Sequence, residues 1–147
     1  MQPSQFFTKE ERGLIKKAIA EAELNTSGEI RVHVERRCKE EVLDHAAYLF
    51  ERLGMHKTQK RNGVLFYLAI DDHKFAILGD AGINAVTPEN FWDDIKDRVL
   101  EEFGQGQYTR GLETGIHMAG EKLKEHFPYQ EGDVNELEDG ISFGENK

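Results

Sequence analysis

The 147 residues carry a formal charge of −9 at pH 7, with 28 acidic residues against 19 lysines and arginines. A surface this acidic argues against nucleic-acid binding, which depends on lysine and arginine neutralising phosphates. The length suits one domain with a buried core, and the single cysteine, Cys38, excludes an intramolecular disulfide and a cysteine-rich zinc site.

The sequence shows no pattern typical of membrane insertion or secretion. No run approaches the roughly 18–20 apolar residues of a membrane span. The first residues, MQPSQFFTKEER, lack the basic region followed by an apolar stretch that marks a secretory signal. We therefore expect a soluble, monomeric, cytoplasmic protein that neither inserts directly into a membrane nor binds nucleic acid.

The first part of the chain predicts a helix, a strand and a second helix. The first helix is expected over residues 8–24, because Thr8 and Glu11 fit a capping box and apolar residues follow on one face. Residues 29–35 alternate between polar and apolar side chains, which predicts a half-buried strand. Apolar residues then recur at helical spacing over residues 42–53, which predicts the second helix.

A β-hairpin is predicted over residues 61–80, the most informative stretch of the sequence. Residues 64–70 are all apolar, which indicates a strand buried on both faces, and residues 74–79 form the second arm. Asp71 and Asp72 lie at the turn between the arms. Carboxylates on a rigid turn suit a hard cation such as Ca²⁺ or Mg²⁺. Aspartate is also favoured in turns for its local hydrogen bonds, so both interpretations stay open.

Two further helices are expected after the hairpin. Thr87 followed by Pro88 is a typical helix start, which predicts a helix over residues 87–103. Apolar residues at helical spacing define a last helix around residues 112–123.

The composition changes at the C-terminal end. Residues 129–147 contain six acidic residues, one lysine and few apolar residues. This pattern is typical of a disordered acidic tail. The sequence therefore predicts a folded domain over residues 1–128 and a tail over residues 129–147.

The order of elements predicts an α/β fold, a three-layer α/β/α sandwich with a small mixed sheet covered by helices on both faces. The strand–helix–strand step should make the first two strands parallel. Asp71 and Asp72 then lie at one edge of the sheet, whereas Glu29, Asn62 and Asp80 lie at the opposite edge. One ion cannot easily reach both sets, so the four acidic residues form two alternative metal sites. The second edge is also a candidate phosphate site, since a helix N-terminus is expected beside it.

Other residues with useful chemistry are fewer. His73 follows the aspartate pair and could act as a ligand or general acid, or be an ordinary surface residue. Lys57, Lys60 and Arg61 precede the buried strand and could steer a phosphorylated substrate toward Asn62, or form a solvated connection. No nucleophile with a matched base is evident, so the sequence identifies no catalytic residue.

A set of short motifs resembles a known family. They are residues 26–30 (TSGEI), 61–65 (RNGVL), 69–72 (AIDD), 79–83 (GDAGI) and the stretch 103–111. The order and spacing of these motifs, over about residues 6–128, resemble those of the TPM domain family. The chain looks like a soluble, bacterial-type member of that family. The resemblance implies an α/β/α sandwich. The family includes an acid phosphatase of the thylakoid lumen, linked to photosystem II repair, and members with bound calcium.

The resemblance implies that three sets of positions in this chain match the family's motif residues. These are Asn62-Gly63, Asp71-Asp72 and residues 79–82. The chain departs from the usual family pattern at Asp80, which lies inside the Gly-x-x-Gly turn, and at Asn84, where many members have an acidic residue.

Three functional hypotheses follow. The first is a module that binds a divalent cation, calcium before magnesium, with an accessory or regulatory role. The second is a metal-assisted acid phosphatase, in which the ion polarises a phosphoryl oxygen and its attacking water. The third is a non-catalytic domain whose acidic surface binds a protein partner, for example a membrane-associated one. The cation-binding hypothesis ranks first, because acidic residues lie at the strand ends. The residues needed for a phosphatase are incomplete, so we expect at most weak phosphatase activity.

Overall fold

A four-stranded mixed sheet organises the protein. The computed structural model describes residues 2–129 and 140–144. After a short 3-10 helix at Pro3–Gln5, its elements are α1 (Lys9–Glu23), β1 (Glu29–Glu35), α2 (Val42–Arg52), β2 (Gly63–Ala69), β3 (Lys74–Gly79), α3 (Ala81–Asn84), α4 (Asp93–Gly104), α5 (Tyr108–His126) and β4 (Gly140–Gly144). None of the helices in these two ranges has the length and apolar composition needed to cross a membrane.

The sheet has the strand order β3-β2-β1-β4. Strand β1 runs parallel to β2, with Glu29 opposite Gly63, and β3 runs antiparallel to β2. The predicted crossover and hairpin are therefore confirmed. The α/β class and the mixed sheet are confirmed as well.

Helices cover both faces of the sheet, with more helices on one face than on the other. The apolar side chains of one face, including Val32 and Phe66, pack in a core with α1, α4 and α5. On the other face Leu65 and Tyr67 pack with residues of α2, including Phe50. Polar side chains of β1 lie on the same face as α2, and this arrangement brings them together in a cluster of their own.

The helix predicted over residues 87–103 begins later than expected. It starts at Asp93, and residues 88–92 form turns instead. The hydroxyl of Thr87 donates to the carbonyl of Ile83 at 2.8 Å, so it closes the end of α3 and does not cap a new helix. The local Thr-Pro signal was therefore wrong about the helix start.

The prediction of an unpacked tail is wrong for residues 140–144. These residues form β4, which pairs parallel to β1 with Arg31 opposite Gly140. Ile141 and Phe143 pack against the core, because alternate residues of a strand share one face. The remaining tail residues, 130–139 and 145–147, lie outside the described residues.

Candidate functional site

The two predicted groups of acidic residues lie at opposite ends of the strands. Glu29 faces Gly63 in the β1–β2 register, and the N–H of Asp80 donates to the carbonyl of Gly63 at 3.0 Å. Glu29 and Asp80 therefore flank the beginning of β2. Asp71 and Asp72 follow the end of the same strand. The structure thus keeps the two candidate sites apart.

The carboxylates of the hairpin turn bind the segment that follows β1. Asp71 Oδ2 accepts a hydrogen bond from Arg36 Nε at 2.9 Å and lies 3.8 Å from Arg37 Nε. Asp72 Oδ2 accepts from the main-chain N–H of Cys38 at 2.7 Å. Both side chains therefore anchor the connection between β1 and α2, which supports the turn interpretation of this pair.

Asp80 makes a bidentate ion pair at the opposite end. Its two carboxylate oxygens accept from Arg61 Nε at 2.7 Å and Arg61 Nη2 at 2.8 Å, and Oδ1 also accepts from the N–H of Ala81 at 2.7 Å. The hydrogen bond and the charge of Asp80 raise the pKa of Arg61. The Asp80 side chain is only 5% exposed, whereas that of Arg61 is 48% exposed. The carboxylate is therefore fixed, and the arginine that covers it has room to move.

Two of the family-like motifs build this ion pair together. Arg61 has a φ of +51°, in the left-handed region, and its carbonyl accepts from the N–H of Gly82 at 2.8 Å. A Cβ atom at Gly82 would lie 2.1 Å from the carbonyl oxygen of Lys60. Only glycine fits at residue 82, because the main chain of residues 60–61 packs directly against it.

Asn62 connects a third motif to the same end of the sheet. It is 2% exposed, and its amide Nδ2 lies 3.5 Å from Ser27 Oγ. Its carbonyl accepts from the N–H of Glu29 at 3.3 Å. These contacts give Asn62 a structural role that joins β1 to β2.

A cleft of about 450 Å³ opens beside Asp80, between α2 and the end of β3. Its polar lining includes Glu51, His56, Arg61, Asp80 and Asn84. His56 Nδ1 is buried and has no hydrogen-bond partner in residues 2–129 and 140–144. The cleft therefore brings carboxylate and amide groups together with an arginine and an unsatisfied imidazole nitrogen.

The side chains at the two ends of the strands fit a metal ion only in part. In residues 2–129 and 140–144, no three His, Cys, Asp or Glu side chains gather in a group that could hold a metal ion. An ion at Asp80 would have to displace Arg61 from one oxygen and take its remaining ligands from amide oxygens, main-chain carbonyls and water. Ca²⁺ accepts such mixed oxygen ligands in a flexible geometry.

A second polar cluster lies on the α2 face of the sheet. Tyr67 Oη donates to Glu35 Oε1 at 2.7 Å, and His45 Nε2 lies 2.7 Å from the same oxygen. His33 Nε2 lies 3.4 Å from Glu35 Oε2. Burial opposes ionisation of Glu35, but these neighbours outweigh it and lower its pKa to about 2. Burial and the neighbouring Glu35 charge raise the pKa of Tyr67.

This cluster was not predicted from the sequence. The alternation of residues 29–35 placed Glu29 and His33 on a solvent-facing side, yet both are 5% exposed. His33 and Glu35 are two residues apart and so share a face, a signal that the sequence contained. What covers that face, including Ser142 of β4, depends on contacts between distant segments.

Comparisons with known proteins agree with this architecture. The NMR structure of the BA42 protein from the psychrophilic bacterium Bizionia argentinensis is similar to the chain with 45% identity and a TM-score of 0.89, covering 95% of this chain and 96% of that one. The N-terminal domain of a protein from P. gingivalis has a TM-score of 0.66 at 18% identity, covers 84% of this chain and 82% of that one, and shares the fold.

A search of the curated proteins found no match. The family model for the TPM domain matches residues 1–122, most of the sequence. The matched residues include all of the short motifs, from residues 26–30 to the stretch 103–111. The chain therefore belongs to the TPM domain family.

Proposed function

We propose that this TPM domain binds a divalent cation, Ca²⁺ in preference to Mg²⁺, at the Asp80 end of the sheet, and that it acts as an accessory or regulatory module. The observation that carries the proposal is the fixed Asp80 carboxylate at the wall of a cleft, covered by a half-exposed Arg61. Glu51 and Asn84 line the same cleft and offer further oxygen ligands. Mg²⁺ requires a stricter octahedral geometry, which favours Ca²⁺ here.

The Asp80 end suits this role better than the hairpin turn. Asp71 and Asp72 already hold Arg36 and the main chain at Cys38, and a cation there would have to break the anchor of the β1–α2 connection. At the other end, Glu29 flanks β2 opposite Asp80 and adds negative charge. Among the described residues, Arg61 is the side chain that has to move to open Asp80.

Calorimetric titration of metal-free protein with Ca²⁺ and Mg²⁺ tests the proposal. With few side-chain ligands, we expect weak binding, with a Kd on the order of 10⁻⁴–10⁻³ M. Asp80→Asn should weaken Ca²⁺ binding at least about tenfold, whereas Arg61→Gln should strengthen it, because it removes the competing cation. The double variant Asp71→Asn, Asp72→Asn is the control and should bind as the wild type does. Loss of binding in the control alone would move the site to the hairpin turn.

A metal-assisted acid phosphatase is the second candidate, since Arg61 and His56 line the same cleft. A guanidinium group can bind phosphoryl oxygens, and an imidazole can transfer a proton. We expect turnover of p-nitrophenyl phosphate at pH 5–8, with Ca²⁺, Mg²⁺ or Mn²⁺, to stay far below the enzyme median of about 10 per second. Rapid metal-dependent turnover that is lost in both Asp80→Asn and His56→Gln would instead make the domain an enzyme.

A further inference from the structure

Three polar side chains lie in a row on the α2 face of the sheet. His33 lies opposite Ser142 in the β1–β4 register, and His33 Nδ1 is 2.7 Å from Ser142 Oγ. The other ring nitrogen, Nε2, is 3.4 Å from Glu35 Oε2. A hydroxyl, an imidazole and a carboxylate in this order are the groups that activate a serine nucleophile.

The surroundings of His33 favour the tautomer that this role needs. Glu35 is ionised and can only accept hydrogen bonds, so its charge favours a proton on His33 Nε2. Within the described residues, His33 Nε2 is buried and makes no hydrogen bond, and Glu35 Oε2 lies in ion-pair range of it at 3.4 Å. The lone pair of Nδ1 then faces the hydroxyl of Ser142. The alternative acceptor for this hydroxyl, the Val32 carbonyl, lies farther away at 3.5 Å.

The Glu35 carboxylate is itself fixed from two sides. Tyr67 Oη and His45 Nε2 each lie 2.7 Å from Oε1, which leaves Oε2 directed at His33. Such outer contacts hold a catalytic carboxylate in the geometry that orients its histidine. The side chain of His33 is 6% exposed, whereas Ser142 is only partly buried, so the row leads from a buried imidazole to a partly exposed residue.

A cation lies in the next row of the same face. Arg31 is two residues before His33 and opposite Gly140, so its side chain leaves the sheet on the side of Ser142. Arg31 Nε is buried and has no hydrogen-bond partner among the residues that the structure describes. An unsatisfied guanidinium nitrogen favours a ligand with a carboxylate, which it can bind by charge-assisted hydrogen bonds.

We propose that Ser142 is a nucleophile activated by His33 and Glu35, and that it hydrolyses small carboxylic esters that carry a negative charge. Ser142 Oγ bonds to the ester carbonyl carbon while its proton passes to His33 Nδ1. The bond from that carbon to the alcohol oxygen then breaks, and the alcohol leaves with the proton from His33. Water attacks the acyl-serine in the same way and releases the acid, which restores Ser142. This site is separate from the proposed cation site at Asp80.

Labelling with a fluorophosphonate probe, followed by peptide mapping, tests the nucleophile. We expect one adduct, at Ser142, formed faster at pH 8 than at pH 5, because a protonated His33 cannot accept the hydroxyl proton. Ser142→Ala should abolish the adduct, and His33→Gln should slow its formation at least about 100-fold. Ser4→Ala is the matched serine control and should label normally. Circular dichroism checks that each variant is folded.

The absence of an adduct at Ser142 in the wild type would overturn the proposal. An adduct that forms at the same rate at pH 5 and pH 8 would also overturn it, and this measurement needs no variant to fold. The substrate class is tested with two esters, mono-4-nitrophenyl succinate and neutral 4-nitrophenyl acetate. We expect the anionic ester to react at least about tenfold faster, with the difference lost in Arg31→Gln. Equal rates in the wild type would contradict the assigned substrate class.

Discussion

Glu35 links the buried polar cluster to the pH dependence of stability. Its pKa falls from 4.5 to about 2 in the folded protein. A folded-state pKa below the unfolded value stabilises the protein above about pH 4.5, and this stabilisation is lost as the pH falls toward 2. A difference of this size corresponds to about 3 kcal/mol. We therefore expect wild-type stability to fall steeply between pH 5 and pH 2.

Glu35→Gln should lower the free energy of unfolding by about 2–3 kcal/mol at pH 7 and make its decline below pH 5 shallower than in the wild type. Urea denaturation at pH 7, 5 and 3 measures both effects. Glu101→Gln, at an exposed position of α4, is the control and should follow the wild-type curve. Parallel curves for Glu35→Gln and the wild type would show that Glu35 does not dominate the acid dependence.

At the scale of single residues, the sequence predicted which side chains share a face of β1, but not which parts of the protein cover that face. The alternation of β1 correctly placed His33 and Glu35 on the side opposite Val32. The same alternation predicted that both side chains face solvent, because strand periodicity contains no information about the neighbouring strand or helix. Ser142 lies 109 residues from His33, and no local pattern relates the two.

At the scale of elements, close packing between α1 and α5 explains a glycine inside a long helix. A Cβ atom at Gly120 would lie 2.9 Å from Ala22 Cβ and 3.0 Å from Ala22 Cα. The nearest atoms are those of a short side chain and the main chain, so the helices would have to separate. The glycine therefore allows a close approach that offsets its poor helix propensity of about 1 kcal/mol.

Two glycine-to-alanine substitutions should change the stability of the protein in opposite directions. Gly120→Ala should lower stability by roughly 1–3 kcal/mol, the usual effect of overpacking. At Gly13 in α1, a Cβ atom would have no atom of the described residues within 4 Å, so Gly13→Ala should raise stability by about 0.5–1 kcal/mol. Thermal denaturation of both variants makes the comparison. Stabilisation by both substitutions would show that α1 and α5 pack less closely at Ala22 than these distances indicate.

Elements with strong local signals were predicted closely, whereas those that depend on distant contacts were not. The capping box of Thr8 and Glu11 is present, and β1 spans residues 29–35 as expected. The start of α4 was missed because the Thr87 hydroxyl bonds back to Ile83. Strand β4 was missed because it depends on pairing with β1, a segment far away in the sequence.

At the scale of the whole molecule, topology decides where the candidate groups lie. The parallel β1–β2 pair, predicted from the order of elements, places Asp80 and Asp71 at opposite ends of the strands. The sequence therefore predicted that a single site could not contain both. It could not predict that Arg61 binds Asp80 so closely, because this contact depends on a left-handed main-chain conformation at residue 61.

Strand β4 makes the C-terminal segment part of the fold, so its removal should destabilise the whole domain. Truncation after Tyr129 removes Ile141 and Phe143 from the core and removes Ser142, which contacts His33 on the other face of the sheet. Partial burial of two such side chains contributes roughly 2–4 kcal/mol, which corresponds to a drop in melting temperature of about 10 °C. The full-length double variant Ile141→Ala, Phe143→Ala should lose most of the same stability. If the truncated protein melts within about two or three degrees of the full chain, as expected for an unpacked tail, β4 contributes little to the stability of the sheet.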